Sequence, residues 1–251
     1  MTEKIDHRRA TSETFESIYA RLARVPIEKL PKPPRSWTDA LIDWGRPVQG
    51  QTSAEVGCGS GFMSARLCDY GVAVTLVDIS PSALAVAKRV FDHLGKACTL
   101  RQEDLFHLDG SVQYDLVWNA GVMEHFTGEE RRKGIEAMGR CVCLGGRMIV
   151  MVPSARGLFY RWGKRRLEAR NRWPYGIEYP IRTLVDCVPP GFTLIAEDQI
   201  GVWSQADRAL GCPKWVKPLI RALAFGNDRN RFWKHLVGGY LLVSVFEKRS
   251  E

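Results

Sequence analysis

A glycine-rich turn directly after a short apolar stretch constrains this sequence more than any other feature. Residues 52–61 read Thr-Ser-Ala-Glu-Val-Gly-Cys-Gly-Ser-Gly, with glycine at every second position of the last five. We predict a buried strand that ends in a sharp turn and leads into a helical segment at residues 62–70. Glycine is needed where a backbone turns tightly and lets a ligand approach, because a Cβ atom would collide. Amides at the start of the following helix would then face that ligand.

After this turn, strand patterns alternate with helix patterns. Ser80-Pro81 predicts a helix start, since serine caps a helix and proline suits its first position; this helix is predicted to reach residue 94. Thr127-Gly-Glu-Glu130 has the spacing of a capping box, for a helix to about residue 143. The alternation predicts an α/β fold, a mostly parallel sheet with helices on both faces. Apolar runs predict its strands at residues 72–77, 97–102, 114–118 and 147–152.

The N-terminal region, residues 1–49, is predicted to be a helical extension that precedes the main domain at 50–251. Residues 1–12 are charged and predicted to be irregular, whereas apolar spacing predicts a helix over residues 15–23. Ser36 is predicted to cap a second helix that ends at Gly45. Because both helices precede the glycine turn, we expect them to lie over its ligand.

The second half of the main domain carries two insertions rich in basic and aromatic residues, at about 154–180 and 203–236. Between and after them, the sequence predicts a short helix at residues 181–188 and strands at 192–197 and 240–246.

Composition narrows the class of protein. The 251 residues are 45% hydrophobic and carry a net charge of +8, which favours anionic partners such as phosphorylated metabolites, nucleic acid or an acidic membrane surface. Seven cysteines without a C-x-x-C spacing indicate reduced thiols rather than a disulfide framework or a zinc site. The polar N-terminus and the lack of a long apolar run predict a cytoplasmic protein without a transmembrane segment.

Four polar side chains, Glu55, Asp78, Asp104 and Asn119, fall at or near predicted strand ends, where ligands bind in parallel sheets. Two ligands fit a glycine turn followed by an acidic residue after the second strand: a dinucleotide and S-adenosylmethionine. The spacing here is G-x-G-x-G rather than G-x-G-x-x-G. A carboxylate two residues before the turn would repel a pyrophosphate but attract an amino-acid ammonium group. Glu55 therefore favours S-adenosylmethionine.

Residues 50–153 resemble the class I S-adenosylmethionine-dependent methyltransferases. Glu55-Val-Gly-Cys-Gly-Ser-Gly61 is similar to motif I of that superfamily. Four further similar segments follow in order: Asp78-Ile79, Glu103-Asp104-Leu105, Asp115 to Phe126 and Leu144 to Val150. The resemblance implies a Rossmann-like sheet of seven strands, mostly parallel, whose last strand runs antiparallel.

The resemblance also implies roles for individual residues. Gly57, Gly59 and Gly61, with Cys58 between them, would let the backbone approach the methionine portion of the cofactor, and Glu55 would hold its ammonium group. The remaining cofactor contacts would be Asp78 to the ribose hydroxyls, Ile79 to the adenine face, Asp104 and the Leu105 amide to the adenine edge, and Asn119 and Ala120 beside the sulfonium.

Glu124 and His125 follow the fourth predicted strand, where the methyl acceptor should sit. They are candidates for a general base, and a role in fixing the loop is the alternative. Some quinone O-methyltransferases of the superfamily bind a metal through Glu-x-x-Glu-His. Here Gly121 stands at the first of those positions, so the sequence assigns no metal.

The expected acceptor is a small molecule, anionic or lipid- or quinone-like. The segment after the fourth strand lacks the Asn/Asp-Pro-Pro-aromatic and Pro-Cys motifs of nucleic-acid methyltransferases, which argues against nucleic acid. The first insertion offers the candidate substrate residues Tyr160, Arg161, Trp162, Arg165, Tyr175 and Tyr179. The second insertion predicts a peripheral membrane contact through Trp203, Lys214, Trp215, Lys217, Arg221, Trp233 and Lys234, with core packing of the tryptophans as the alternative. A catalytically silent cofactor-binding subunit is a further alternative, and the sequence leaves the oligomeric state open.

Overall fold

A computed structural model describes residues 2–203, residue 222 and residues 231–249. Its core is one seven-stranded sheet. The strands are β1 (Thr52–Val56), β2 (Ala73–Asp78), β3 (Thr99–Gln102), β4 (Tyr114–Ala120), β5 (Val142–Pro153), β6 (Phe192–Ile200) and β7 (Leu241–Lys248). Their spatial order is β3-β2-β1-β4-β5-β7-β6. Strands β1 to β5 pair in parallel, whereas β7 pairs antiparallel with both β5 and β6. The predicted Rossmann-like sheet with an antiparallel last strand is confirmed.

Helices cover both faces of this sheet. They are α1 (Thr2–Leu22), α2 (Arg35–Gly45), α3 (Ser64–Leu67), α4 (Pro81–His93), α5 (Gly128–Arg140), α6 (Leu158–Glu168) and α7 (Arg231–Val237). Successive side chains of β5 alternate between the two faces, as strand geometry requires. Met148 and Val150 pack in the core that includes α5, while Ile149 and Met151 pack in the core that includes α2, α3 and α4.

The prediction that residues 1–12 are irregular was wrong, because α1 begins at Thr2. Long-range contacts stabilise this polar helix. The Arg8 guanidinium lies 3.8 Å from the Phe106 ring centre and pairs with Glu130 at 3.0 Å. Glu16 accepts hydrogen bonds from the hydroxyls of Ser80 and Ser82 at the start of α4. Tertiary packing of this kind outweighs weak local helix preference.

Other predicted boundaries of helices and strands also differ from those in the structure. Helix α2 begins at Arg35 with Pro34 as its N-cap, so Ser36 does not cap it. Strand β5 begins at Val142 rather than 147 and continues through the paired glycines, which shortens α5. The helix predicted at 181–188 is only a 3₁₀ turn, Val185–Cys187. Of the second insertion, residues 204–221 and 223–230, with Lys214, Trp215, Lys217 and Arg221, lie outside the described residues.

The two predicted caps are present. The Ser80 hydroxyl accepts a hydrogen bond from the Ala83 amide at 2.9 Å. At the start of α5, the Thr127 hydroxyl accepts from the Glu130 amide at 3.4 Å, and the Glu130 carboxylate accepts from the Thr127 amide at 3.0 Å. This capping box anchors the loop that connects β4 to α5.

We expect Thr127→Ala to lower the free energy of unfolding by about 1 kcal/mol, because it removes one side of the capping box. Urea denaturation followed by circular dichroism measures the change. Thr14→Ala is the control, since the Thr14 hydroxyl donates only to the Ala10 carbonyl on an exposed face of α1. Its effect should stay within about 0.5 kcal/mol, and equal losses in the two variants would contradict the capping role.

In the part of the chain that the structure describes, no helix has the length and apolar character needed to cross a bilayer.

Candidate active site

The turn after β1 is built from three glycines in the left-handed region of backbone conformation. Gly57, Gly59 and Gly61 have φ angles of 71°, 53° and 67°. A Cβ atom at Gly57 would lie 2.5 Å from a methyl group of Val122, and one at Gly59 would lie 2.1 Å from the Tyr19 hydroxyl. The turn therefore needs glycine both for its conformation and for its close neighbours.

The Asp78 carboxylate connects the glycine turn after β1 to the turn after β2 through hydrogen bonds. One carboxylate oxygen accepts from the Gly59 amide at 2.9 Å, and the other accepts from the Ser80 amide at 2.9 Å. Burial raises the pKa of Asp78, while the backbone hydrogen bonds oppose that shift.

A cavity of about 850 Å³ opens at the carboxyl ends of β1 and β4. Three parts of the chain enclose it: the strand ends, the N-terminal extension, and the first insertion with residues close to β7. The strand ends contribute Glu55, Gly57, Cys58, Gly59, Gly61, Ala120, Glu124 and His125. The strand ends thus bring together most of the residues predicted for the methionine portion of the cofactor and both predicted general-base candidates.

Glu55 is a buried acid that lines this cavity and has one unpaired carboxyl oxygen. Its side chain is buried, and Oε2 has no hydrogen-bond partner among the described residues. Burial raises its pKa well above the ordinary value. A cationic group in the cavity would supply the missing partner.

The residues predicted for the adenosine portion, and Asn119, do not line the cavity. Ile79 is 45% exposed, the Asp104 carboxylate accepts from the Phe106 amide at 3.0 Å, and Leu105 is packed in the core. The Asn119 amide nitrogen contacts the sulfur of Met138 on α5 at 3.3 Å, so this side chain points into the core between the sheet and α5. Helix α1 packs close to Asp78 and the glycine turn, because Glu16 binds Ser80 and Ser82 and the Tyr19 hydroxyl lies next to Gly59.

Glu124 and His125 are buried side by side and line the same cavity. His125 Nδ1 lies 2.9 Å from the Ile177 carbonyl oxygen, so this nitrogen carries the proton and Nε2 keeps a lone pair. Nε2 lies 4.0 Å from Glu124 Oε1. Burial raises the pKa of Glu124 to about 8 and lowers the pKa of His125 to about 4. Both shifts disfavour charge at this position.

Helix α6 turns one face toward the cavity. Tyr160, Gly163, Lys164 and Leu167 line it, following the i, i+3, i+4, i+7 spacing of a helix face. Arg161, Trp162 and Arg165 lie on the other faces and do not line the cavity; Trp162 is 49% exposed.

Of the two other predicted substrate residues, Tyr175 lines the cavity and Tyr179 does not. The Tyr179 amide instead donates to the Glu124 carbonyl at 2.7 Å, and its ring meets His7 edge-on.

Sequence reasoning missed several residues that line the cavity. The missed residues are Phe15, Tyr19, Trp37, Phe62, Arg172, Glu178 and Trp203. Phe15 and Tyr19 stand four residues apart on α1, and that aromatic pair was a usable signal. Glu178 carries no comparable signal, because only the tertiary fold brings it beside Glu124.

Known proteins are similar to this chain over the segment that forms the site. A family model described as a methyltransferase domain matches residues 54–148, the segment that holds the glycine turn, Asp78 and the Glu124–His125 pair. Residues 54–148 are therefore similar to a methyltransferase domain, in agreement with the resemblance to the class I S-adenosylmethionine-dependent methyltransferases.

Individual methyltransferases are similar to this chain to different extents. The ubiquinone biosynthesis O-methyltransferase of Paramagnetospirillum magneticum is 34% identical over 80 residues, 32% of this chain and 32% of that protein. The enzyme of that description from Pseudomonas paraeruginosa is 25% identical over 166 residues, 65% of this chain and 66% of that protein. These alignments span less than two thirds of either relative. The magnesium protoporphyrin IX methyltransferase of Synechocystis, solved with bound S-adenosylhomocysteine, has a TM-score of 0.62 at 18% identity over 97% of this chain and all of that one, so it shares the fold.

The cofactor of this superfamily is S-adenosylmethionine, and the chemistry of the cavity fits it. The unpaired Glu55 carboxylate suits the ammonium group of the cofactor. Gly57, Gly59 and Gly61 have no side chains, so at these positions it is the backbone of the turn that lines the cavity.

Proposed function

We propose that this methyltransferase transfers a methyl group from S-adenosylmethionine to a small planar acceptor, an aromatic ring with a hydroxyl group, as in a quinol. The observation that carries this proposal is one continuous cavity that is lined by two chemically different groups of residues. We assign Glu55 and the glycine turn to the cofactor end, and the aromatic walls with Glu124 and His125 to the acceptor end.

The walls of the acceptor end are flat aromatic rings. Trp37 stacks on Tyr240 with 5.1 Å between ring centres, and Tyr160 meets Tyr240 at 4.6 Å. Trp173 meets Tyr175 at 5.2 Å. Aromatic surfaces of this kind favour a planar apolar ligand over a flexible polar one.

Positive charge in the same walls favours an anionic substituent on the acceptor. Lys164 and Arg172 line the cavity, whereas the predicted Arg161 and Arg165 do not. The Lys164 ammonium lies 4.8 Å from the Trp173 ring centre and pairs with Glu168. An aromatic ring with a carboxylate substituent would match both features.

When bound, S-adenosylmethionine supplies a methyl group activated by the sulfonium charge. The residues of this chain orient the reactants and exclude water: Glu55 would hold the ammonium group, Asp78 would take the ribose hydroxyls, and the aromatic walls would align the acceptor. The acceptor hydroxyl must lose its proton. His125 offers an unprotonated Nε2 that can receive it, and the carboxyl groups of Glu124 and Glu178 lie beside that nitrogen.

Isothermal titration with S-adenosylmethionine, followed by labelled-methyl transfer to a panel of acceptors, tests the proposal. The panel holds catechol, 3,4-dihydroxybenzoate, a prenylated hydroquinone, and RNA and DNA. We expect micromolar cofactor binding and transfer to the ring acceptors. Binding without transfer to any acceptor would instead support a silent subunit, and transfer only to nucleic acid, falling steeply with salt, would overturn the choice of acceptor.

We expect Trp173→Ala to raise the KM for the ring acceptor about tenfold, since it removes one aromatic wall worth about 1.4 kcal/mol of binding. The dissociation constant for S-adenosylmethionine should not change. Trp162→Ala is the matched control, because Trp162 belongs to the same insertion but does not line the cavity. Equal KM values in the two variants would contradict an acceptor site in this place.

A further inference from the structure

We infer that Glu124, His125 and Glu178 form a binding site for one divalent metal ion at the acceptor end of the cavity. One ligand atom from each side chain lies within 4.8 Å of the other two. Glu178 comes from the first insertion. It would supply the third ligand in place of the first glutamate of the Glu-x-x-Glu-His motif, whose position is taken here by Gly121. The site has a different third ligand from the Glu-x-x-Glu-His group of related quinone methyltransferases.

The two residues that flank Glu178 in the chain are hydrogen-bonded to the Glu124–His125 pair. Ile177 accepts from His125 Nδ1 at 2.9 Å, and the Tyr179 amide donates to the Glu124 carbonyl at 2.7 Å. These two bonds hold Glu178 against the pair. The bond to Ile177 also fixes the histidine tautomer that leaves Nε2 free to bind a metal, which is the usual arrangement of a metal-ligating histidine.

A buried oxygen at this site lacks a partner. Glu124 is 3% exposed, and its Oε2 has no hydrogen-bond partner among the described residues. Two neighbouring cations already have partners: the Arg131 guanidinium donates to the Met123 and Phe126 carbonyls, and Lys164 pairs with Glu168. A buried carboxylate without a partner is costly, and a metal ion would satisfy it.

The distances between the ligand atoms would suit one bound ion if these atoms moved slightly closer together. Ligand atoms about 2.1 Å from one ion lie roughly 3 to 4 Å from each other. His125 Nε2 and Glu124 Oε1 are already 4.0 Å apart. The Tyr160 hydroxyl donates to Glu178 Oε2 and so orients the carboxylate of the third ligand.

Two carboxylates and one imidazole are donors that suit Mn²⁺ and Zn²⁺ better than Ca²⁺, which prefers oxygen alone. An ion here would lower the pKa of an acceptor hydroxyl bound to it, so that the hydroxyl would release its proton to water, and Glu124 and His125 would then act as ligands of the ion rather than as the proton acceptor. This role rests on the proposed function, but the metal site itself does not.

Manganese titration of the chelator-treated full chain tests the site without any methyl transfer. Electron paramagnetic resonance counts free Mn²⁺, and a nitrogen coupling in the bound spectrum reports the histidine ligand. We expect one ion per chain. Glu178→Gln and His125→Gln should weaken binding at least tenfold, and His125→Gln should also remove the nitrogen coupling.

Glu129→Gln is the matched control, since its carboxylate is exposed on α5 and pairs with Lys133 at 2.9 Å. Glu178→Asp, which keeps the charge, should bind more tightly than Glu178→Gln. S-adenosylmethionine titration and melting temperature check that each variant is folded. Wild-type protein that binds the cofactor but no Mn²⁺, or that binds Mn²⁺ as tightly as Glu178→Gln does, would overturn the metal site and leave the proposed function standing.

Discussion

Replacing Asp78 with alanine is expected to weaken S-adenosylmethionine binding roughly 30- to 150-fold. Its carboxylate accepts the Gly59 and Ser80 amides, so the change loosens the glycine turn as well as removing the predicted partner of the ribose hydroxyls. Hydrogen bonds to a charged group contribute about 1.5 to 3 kcal/mol each, and a net loss of about 2 to 3 kcal/mol corresponds to that range.

Calorimetric titration measures this effect, and Asp92→Ala is the control. Asp92 lies on α4, directly after β2 in the chain, and its exposed carboxylate pairs only with Lys88. We expect its dissociation constant to match the wild-type value. A change of less than about threefold in Asp78→Ala would show that Asp78 neither holds the turn nor binds the cofactor.

Gly57→Ala is expected to abolish measurable cofactor binding and to lower the melting temperature by several degrees. Two costs combine at this position. A φ of 71° strains any residue with a Cβ atom by about 1 to 2 kcal/mol, and the new atom would lie 2.5 Å from a Val122 methyl group. Relieving that clash moves the loop that carries Glu124 and His125.

Two further variants separate these costs. Gly95→Ala has a similar φ of 65° with nothing within 4 Å, so it should show only the strain and bind the cofactor normally. Gly57→Ala combined with Val122→Ala removes the contact and should recover part of the binding. Failure of the double variant to recover any binding, with its fold intact, would mean that the backbone conformation rather than the space around it decides cofactor binding.

Features that depend on local chemistry were predictable. Ser80 and Thr127 cap their helices as expected, because a cap needs only neighbours within three residues. Boundaries that depend on distant partners were not. The helix at residues 2–12 rests on contacts with Phe106 and Glu130, and the early start of β5 follows from its pairing with β4.

The same division holds for the site. Gly57, Gly59 and Gly61 could be identified because a tight turn with little room for side chains has a recognisable sequence pattern. The orientation of α6 could not, since a helix rich in both basic and aromatic residues offers more than one face that could turn inward. The structure turns Tyr160 and Lys164 to the cavity and leaves Arg161 and Arg165 outside it.

By itself, the sequence determined the sheet, the order of its elements and the choice of cofactor, because the glycine turn and the acidic residues at the strand ends are short-range features of the chain. Only the tertiary structure decided what surrounds the acceptor. Glu178 and the aromatic walls come from segments far from Glu124 in the chain, and packing of the N-terminal helices and the first insertion over the sheet edge brings them together.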